Sequence, residues 1–446
     1  MAKSLYIALA RARMGPALVS LAICLSAAAQ MPEDIPLPRT LPGLDKSHNI
    51  FDQYPDRPSL SPALTIPLGP AGYSMPGPIY ETRLDTLVSL DFLDENRLLF
   101  TFHSSGGLLQ RSESAVEDKE RHIRAVVISI PSGKIDAQAT WILHDHMRYL
   151  WMLRDGHFLL RDGEGIQLGD ENLKLKPYVQ FNGHLLWIEM DPAQQFLMTN
   201  SLVPASTPVT AEEASNVAPA PAGSGTDSAT TPRLVIRTLN LGSGEVFRTS
   251  RVPWTYQTSD WPMNSDGYAE TASVGKRRWK LNLHYFAGGT RTIAAVTSTC
   301  VPKFAFISRR ELFATTCEPE GGWGLNAIMV GGEYPVWQQH ASTNSIWPLL
   351  VMSPDGSWIA RETLVLDHPL NGHNRHYDMH DVEGQMVRVL NAANGNLILE
   401  APTAPLLLSG GNVAFSPSGD RVAILNRNSI EVFNLPHPLS SPNPDH

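Results

Sequence analysis

NVAFSPSGDRVAILNRNSIEVFNLP, from Asn412 to Pro436, decides the fold. It reads as an apolar strand, a Ser-Pro-Ser-Gly turn, a second strand, an Asn-containing turn, and a third strand that stops at proline. Gly and Asn tolerate the positive φ of tight turns, and apolar alternation on both sides of such turns marks adjacent antiparallel strands. The stretch is therefore three strands of a four-stranded meander.

Versions of it recur upstream. VSLDFLDENRLLFTFH (Val88 to His103), LWMLRDGHFLLRDG (Leu150 to Gly163), LLWIEMDPAQQFLMTN (Leu185 to Asn200), KFAFISRRELFATTC (Lys303 to Cys317) and PLLVMSPDGSWIARE (Pro348 to Glu362) repeat the order of strand, turn and strand. A second landmark follows in AVVISIPSGKIDAQ (Ala125 to Gln138), LVIRTLNLGSGEVF (Leu234 to Phe247) and MVRVLNAANGNLIL (Met386 to Leu399), where Ser-Gly or Asn-Gly closes another hairpin. Together the landmarks make four strands per unit.

The first-landmark turns fall near Asn96, Gly156, Gln194, Arg310, Gly356 and Gly419. Most intervals lie near or above the ~40–45 residues of a WD40-type blade. The interval from Gln194 to Arg310 is too long for one unit. It contains Ser201 to Pro232, a tract of Ala, Pro, Ser and Thr with almost no large apolar residue, expected to be a disordered insertion (201–232) within one blade. Setting it aside leaves room for a further unit over Trp261 to Thr299, with RWKLNLHYF and TRTIAAVTS as strands.

Seven units result. The expected fold is all-β, a propeller of seven four-stranded blades over residues 81–436, followed by a tail, 437–446. The last blade has three strands of its own, so its fourth is expected from the N-terminal side, between Leu60 and Leu90. Residues 30–80 are rich in proline, which fixes φ and removes a backbone donor, so they are expected to be extended and irregular, with Ala63-Leu64-Thr65-Ile66 as a plausible strand. Two stacked β-sandwiches are the alternative; the two-landmark order at blade-like spacing favours the ring.

Ser353-Pro354-Asp355-Gly356-Ser357-Trp358-Ile359-Ala360 and Ser416-Pro417-Ser418-Gly419-Asp420-Arg421-Val422-Ala423 resemble the S-P-D-G-x-x-[IL]-A signature of WD40-like bacterial β-propeller repeats, the kind found in TolB-like periplasmic proteins. The Gly-His and Trp-Asp landmarks of eukaryotic WD40 repeats are absent. The resemblance implies a blade and carries no catalytic residues with it.

Residues 1–29 are expected to be a signal peptide. Lys3, Arg11 and Arg13 precede an apolar run from Gly15 to Leu25, and Ser26-Ala27-Ala28-Ala29-Gln30 supplies small residues for cleavage after Ala29. The run is shorter than the ~20 residues that span a bilayer, and no later segment is long enough either. Export to the periplasm or the extracellular space follows, with lipid attachment at Cys24 ranked below it because Ile23 stands where a small residue is required. Removal of this segment moves the net charge from −9 to −12, which repels phosphate backbones and excludes a nucleic-acid partner. Lys276-Arg277-Arg278, the densest basic cluster, reads as a solvated turn. Cys300 and Cys317 remain, and an even pair in an oxidising compartment is expected to form a disulfide.

Recognisable chemistry is sparse. The chain has no G-x-S-x-G, H-E-x-x-H, C-x-x-C or phosphate loop. LDHPLNGHNRHYDMHDVEG, Leu366 to Gly384, gathers His368, His373, His376 and His380 with Asp367, Asp378 and Asp381 between two strands of the sixth unit. Imidazole and carboxylate are good zinc ligands, but spacings of five, three and four match no standard metal signature, and His-Pro and Asn-Gly are ordinary loop chemistry. If a metal binds, His373, His376 and His380 are its expected ligands because they are closest together; no other cofactor is expected. HDHMRYLW (His144 to Trp151) is a weaker candidate of the same kind. Trp141, Trp151, Trp187 and Trp358 lie in or beside strand patterns, where packing accounts for them. A pair of carboxylates for acid and base work cannot be singled out of 44 Asp and Glu.

The expectation is an exported, non-catalytic, monomeric propeller that acts as a binding or scaffolding module for a protein, small-molecule or saccharide ligand on a propeller face. The rival is a metal-dependent hydrolase or lyase that uses the 366–384 loop.

Overall fold

The structure is a computed structural model that describes residues 60–75, 86, 88–103, 121–144, 148–163, 165–181, 184–204, 233–253, 261–319, 322–332, 334–340, 344–369 and 379–436. The expected signal peptide with Cys24, most of the proline-rich segment, residues 205–232 of the insertion, residues 370–378 of the His-rich loop and the 437–446 tail lie outside the described residues.

Every sheet has four strands, and there are seven of them. Blade 1 spans 88–143, blade 2 150–180, blade 3 184–253, blade 4 263–297, blade 5 303–340 and blade 6 345–403; blade 7 joins 413–434 to Leu64–Pro67. Among the described residues each sheet meets a neighbour on either side through an apolar seam, an arrangement that two stacked sandwiches do not have. The first strand of blade 1, Val88–Asp94, touches the first strands of both blade 7 and blade 2, so the ring is closed.

The Ser-Pro signature has a physical reason. Ser353 Oγ accepts from the Trp358 amide at 2.9 Å, and Ser416 Oγ accepts from the Arg421 amide at 3.1 Å. Each hydroxyl thus bridges a turn whose glycine has positive φ, Gly356 at 77° and Gly419 at 76°. Blade 3 makes the same turn with other residues. The Asp191 carboxylate, 1% exposed, accepts from the amides of Gln195 and Phe196 at 2.7 and 2.6 Å, and Gln194 takes the positive φ of 55°. Its second oxygen accepts from Ser265 Oγ of blade 4 at 2.9 Å, so one buried side chain also ties two blades.

Each seam between neighbouring blades has its own apolar cluster. Leu99, Ile123 and Trp141 meet Phe158 and Leu160 between blades 1 and 2, while Phe313 and Leu325 meet Ile359 and Leu390 between blades 5 and 6. Trp151 and Trp358 are buried in such clusters and Trp187 packs against one, as expected for packing residues.

The closing strand is Leu64–Pro67, antiparallel to Ser429–Asn434 with Ile66 opposite Ile430. It lies inside the proline-rich segment, which is therefore not irregular throughout. It is the outermost strand of its sheet, where Pro67 costs no ladder hydrogen bond to a further neighbour. The same seam is clipped by Glu95 of blade 1, whose carboxylate accepts from Ser418 N at 2.6 Å and Ser418 Oγ at 3.0 Å.

Cys300 and Cys317 are joined by a disulfide across 17 residues, from the connection after blade 4 to the second strand of blade 5. A loop of that length is worth about 3 kcal/mol of chain entropy. Dithiothreitol, or Cys300→Ser with Cys317→Ser, is expected to lower the unfolding free energy by about 2–4 kcal/mol in a urea titration. An unchanged midpoint, or free thiols at both positions in non-reducing peptide maps, would contradict the bridge.

Candidate functional site

The neck of the His-rich loop is well defined. Strands Trp358–Leu366 and Val382–Asn391 flank it, and the Asp367 amide donates to the Asp381 carbonyl at 2.8 Å. Leu366 and Val382 to Gly384 are thus strand residues, and the loop proper is shorter than 366–384. Asp367, His368 and Asp381 place ligand atoms within 4.8 Å of one another. His368 Nδ1 lies 2.5 Å from Asp367 Oδ1, and its Nε2 lies 4.0 Å from Asp381 Oδ2. Two carboxylates and an imidazole are ligands for a divalent ion, but they stand at the surface with the imidazole already bonded to Asp367. Of the expected ligands, His380 is exposed on a 3-10 turn, Met379–Asp381, and is not in this group; His373 and His376 lie outside the described residues. His144 of the second candidate faces Asp162 at 3.1 Å on the surface.

Two carboxyls elsewhere in the ring are strongly perturbed. Burial pushes Asp91 of blade 1 up to about 6, against the Ser89 hydroxyl, which donates to it at 2.6 Å, and the charge of Arg148. Burial alone pushes Glu362 of blade 6 up to about 8. Gln385 Nε2 donates to Glu362 at 3.2 Å, and Asn412, in the amide orientation that gives both its ends a partner, donates at 2.6 and 3.0 Å. Gln385 also exchanges hydrogen bonds with Leu407, at 3.0 Å to its carbonyl and 2.8 Å from its amide. Glu362 lies beneath the connection from blade 6 to blade 7, where burial favours the neutral acid and the donating amides oppose it. These two acids have separate sets of neighbours.

A cleft of about 350 Å3 lies in the seam between blades 4 and 5. One wall is the outer strand of blade 4, Thr290–Thr297; the other is the face of blade 5 that carries Thr316, Asn326 and Gln338. Strand register orders the cleft. Thr316 pairs with Gly324 and Gly324 with His340 at one end, Asn326 pairs with Gln338 in the middle, and Ile328 pairs with Pro335 at the other end. Asn326 is 7% exposed and donates to Ala314 O at 3.4 Å and Thr316 Oγ1 at 3.3 Å, both long. Tyr334 stands at the Pro335 end, 79% exposed. Among the described residues, Glu318 and His340 are the only ionisable side chains in the lining besides Tyr334, and they are hydrogen-bonded to each other. The disulfide stands beside this end through Cys317.

No family profile and no curated protein matches the chain. Solved structures do. Hydrazine synthase of Kuenenia stuttgartiensis aligns with a TM-score of 0.43 and 12% identity over 80% of this chain and 97% of that one. Acylaminoacyl peptidase of Pyrococcus horikoshii aligns at 0.45 and 9% identity over 78% of this chain and 51% of that one. The C-terminal WD40 domain of Sif2 aligns at 0.38 and 10% identity over 79% and 97%. These are propeller-like proteins, and the likeness is one of fold. Their number includes enzymes, and none of their activities is carried to this chain.

The cleft was not legible as a motif, but a signal for it exists. Four outer strands carry an aromatic residue onto the next blade: Trp141 meets Phe158 at 5.5 Å, Phe247 meets Phe286 at 5.3 Å, Tyr178 lies on Gly244, and Trp337 lies on Gly395. The outer strand of blade 4 reads TRTIAAVT and has none; those of blade 6, LILEAPT, and blade 7, LTIP, have none either, so the missing ring is a necessary condition for the cleft and does not by itself mark it.

Proposed function

We propose that this chain is an exported, non-catalytic propeller that binds a small ligand in the cleft between blades 4 and 5. The observation that carries the reading is a cavity of ligand-binding size, about 350 Å3, where Thr316, Asn326 and Gln338 stand among Ala295, Val296, Ile328 and Pro335 in a seam whose two neighbouring seams each hold an aromatic ring from an outer strand. Export is supported by the Cys300–Cys317 bridge, since disulfides persist in oxidising compartments, and no helix among the described residues is long and apolar enough to cross a membrane. The non-catalytic reading is supported by the occupation of buried carboxyls in structural work: Asp191 holds a turn and a seam, and Glu362 is enclosed by Gln385 and Asn412.

Thermal unfolding of the full chain against a panel of neutral sugars, short peptides and divalent metal salts tests this. At least one sugar or peptide is expected to raise the midpoint, by about 2.7 kcal/mol of stabilisation at a hundred times its dissociation constant. The shift is expected to survive EDTA and to vanish in Tyr334→Ala with Gln338→Ala. Turnover of a panel member that is abolished by a change at Asp91 or Glu362 would replace the reading with an enzyme. Metal-dependent turnover abolished by His368→Ala would move the function to the 366–384 loop.

A further inference from the structure

The chemistry of the cleft narrows its occupant, on the premise that the chain is a binding propeller. We infer that the cleft between blades 4 and 5 takes a neutral saccharide, one or two rings of a free sugar or the end of a longer chain.

The argument begins with how the cavity arises. Nearer the axis, the seam is packed by Leu281, Ile293 and Ala294 of blade 4 against Leu312, Ala314 and Ile328 of blade 5. Farther out, Tyr178 and Trp337 show what seals other seams: each lays its ring on a glycine of the next blade and donates to a backbone carbonyl there, Leu241 and Ala392 respectively. At the corresponding place blade 4 lays the Arg291 guanidinium beside Gly331, whose amide donates to the Ile293 carbonyl at 2.7 Å. Small and polar residues above that point leave the cleft open.

What faces the opening selects the ligand. Thr297, Thr299, Thr316, Asn326 and Gln338 bring hydroxyls and amides to the lining; the Thr299 and Thr316 hydroxyls donate to backbone carbonyls and the Asn326 amide to Ala314 O and Thr316 Oγ1, which leaves acceptor oxygens there and the Gln338 amide for a ligand. Glu318 and His340 are hydrogen-bonded to each other, so a charged group of a ligand in the cleft would lose hydration with no described lining side chain left over to pair with it. A ligand with many neutral hydroxyls matches this lining. Tyr334 adds the second element of sugar recognition: a largely exposed ring, beside Pro335, at the rim of a polar cleft, where the C–H face of a pyranose can stack. A volume of about 350 Å3 is at the small end of ligand sites, which run from ≈ 300 to 1,000 Å3, and this limits the occupant to one or two rings. Gly324 keeps the floor low, because a Cβ there would come within 2.7 Å of Thr316 Oγ1 and 3.2 Å of Glu318 Oε1.

Titration calorimetry of the full chain with malto-, cello- and chito-oligosaccharides of two to four units, and with uncharged hexapeptides for comparison, decides the point. At least one oligosaccharide is expected to bind, with affinity reduced tenfold or more in Tyr334→Ala and about fivefold in Gln338→Ala. Val336→Ala, an exposed position outside the lining, is expected to bind as the parent does. All three side chains are solvent-exposed, so unchanged unfolding midpoints will separate lost binding from lost folding. Peptide binding that depends on Tyr334, with no sugar bound, would overturn the saccharide and leave the binding cleft standing. Sugar binding indifferent to both Tyr334→Ala and Gln338→Ala would overturn this site, and absence of binding by either ligand class would overturn the cleft together with its occupant.

Discussion

Ile66→Ala is expected to destabilise the whole ring by about 2–5 kcal/mol, the range for deleting a fully buried aliphatic side chain. Ile66 is 2% exposed and belongs to two interfaces at once. It sits opposite Ile430 in the closing strand pair, and it shares an apolar cluster with Leu90, Phe100 and Val126 of blade 1 and Val432 of blade 7. Losing it loosens the fourth strand of blade 7 and the blade 7–blade 1 seam in one step. Ile66→Asp is expected to do more, because a buried carboxylate without a partner prevents docking of the strand and leaves the edge of Ser429–Asn434 free to pair with other chains. Thr65→Ala, one residue away and exposed, is expected to stay within about 0.5 kcal/mol. Urea titration measures the first and third, and size-exclusion chromatography reads aggregation in the second. Equal effects of Ile66→Ala and Thr65→Ala would mean that the N-terminal strand does not close the ring.

Glu362→Gln is expected to flatten the pH dependence of stability between about pH 5 and 8. The carboxyl is fully buried, and burial raises its folded-state value to about 8 from an ordinary 4.5. Below pH 4.5 the acid is protonated whether the chain is folded or not, and its contribution is fully present. As pH rises above that value, the unfolded chain releases the proton while the folded chain holds it, so stability falls by about 1.4 kcal/mol per pH unit until the folded group ionises near pH 8. Glutamine keeps the shape and an acceptor for Gln385 and Asn412 but does not titrate. The measurement is unfolding free energy of parent and variant from pH 4 to 9. Asp91, raised to about 6, adds a slope of the same sign at lower pH, and subtracting the two curves removes it. Parallel curves would show that the Gln385 and Asn412 amides hold Glu362 ionised.

The seven blades were legible because the signals that make a blade are local. Apolar alternation and a turn residue with positive φ operate within about fifteen residues, so Gly356, Gly419 and Gln194 mark the same turn whatever surrounds them. Blade 4 was harder to see. Its first strand is only Met263–Asn264, and it emerged by subtraction of the Ala- and Pro-rich insertion. The closing strand was legible by counting, since three strands after Asn412 leave one sheet incomplete. The Cys300–Cys317 pair followed from parity and the export signal. The metal reading fared differently. Of the three histidines chosen for closeness in sequence, His373 and His376 lie outside the described residues and His380 is not in the group at the loop neck, where Asp367 and Asp381 approach because the flanking strands pair.

By itself the sequence determined the ring, the number of blades, the segment that closes it and the cysteine bridge. These follow from periodicity, turn chemistry and counting, all of which act along the chain. Only the tertiary structure decided the two features with chemical consequences. Burial pushes Glu362 towards the neutral acid, against the donating amides of Gln385 and Asn412 from another strand and another connection. The cleft forms where the small and polar residues at the end of the outer strand of blade 4, Ala295 to Thr297, face Thr316, Asn326 and Gln338 of blade 5. An enclosure or a cavity depends on which side chains of neighbouring blades meet, and that is settled only when the blades are set side by side.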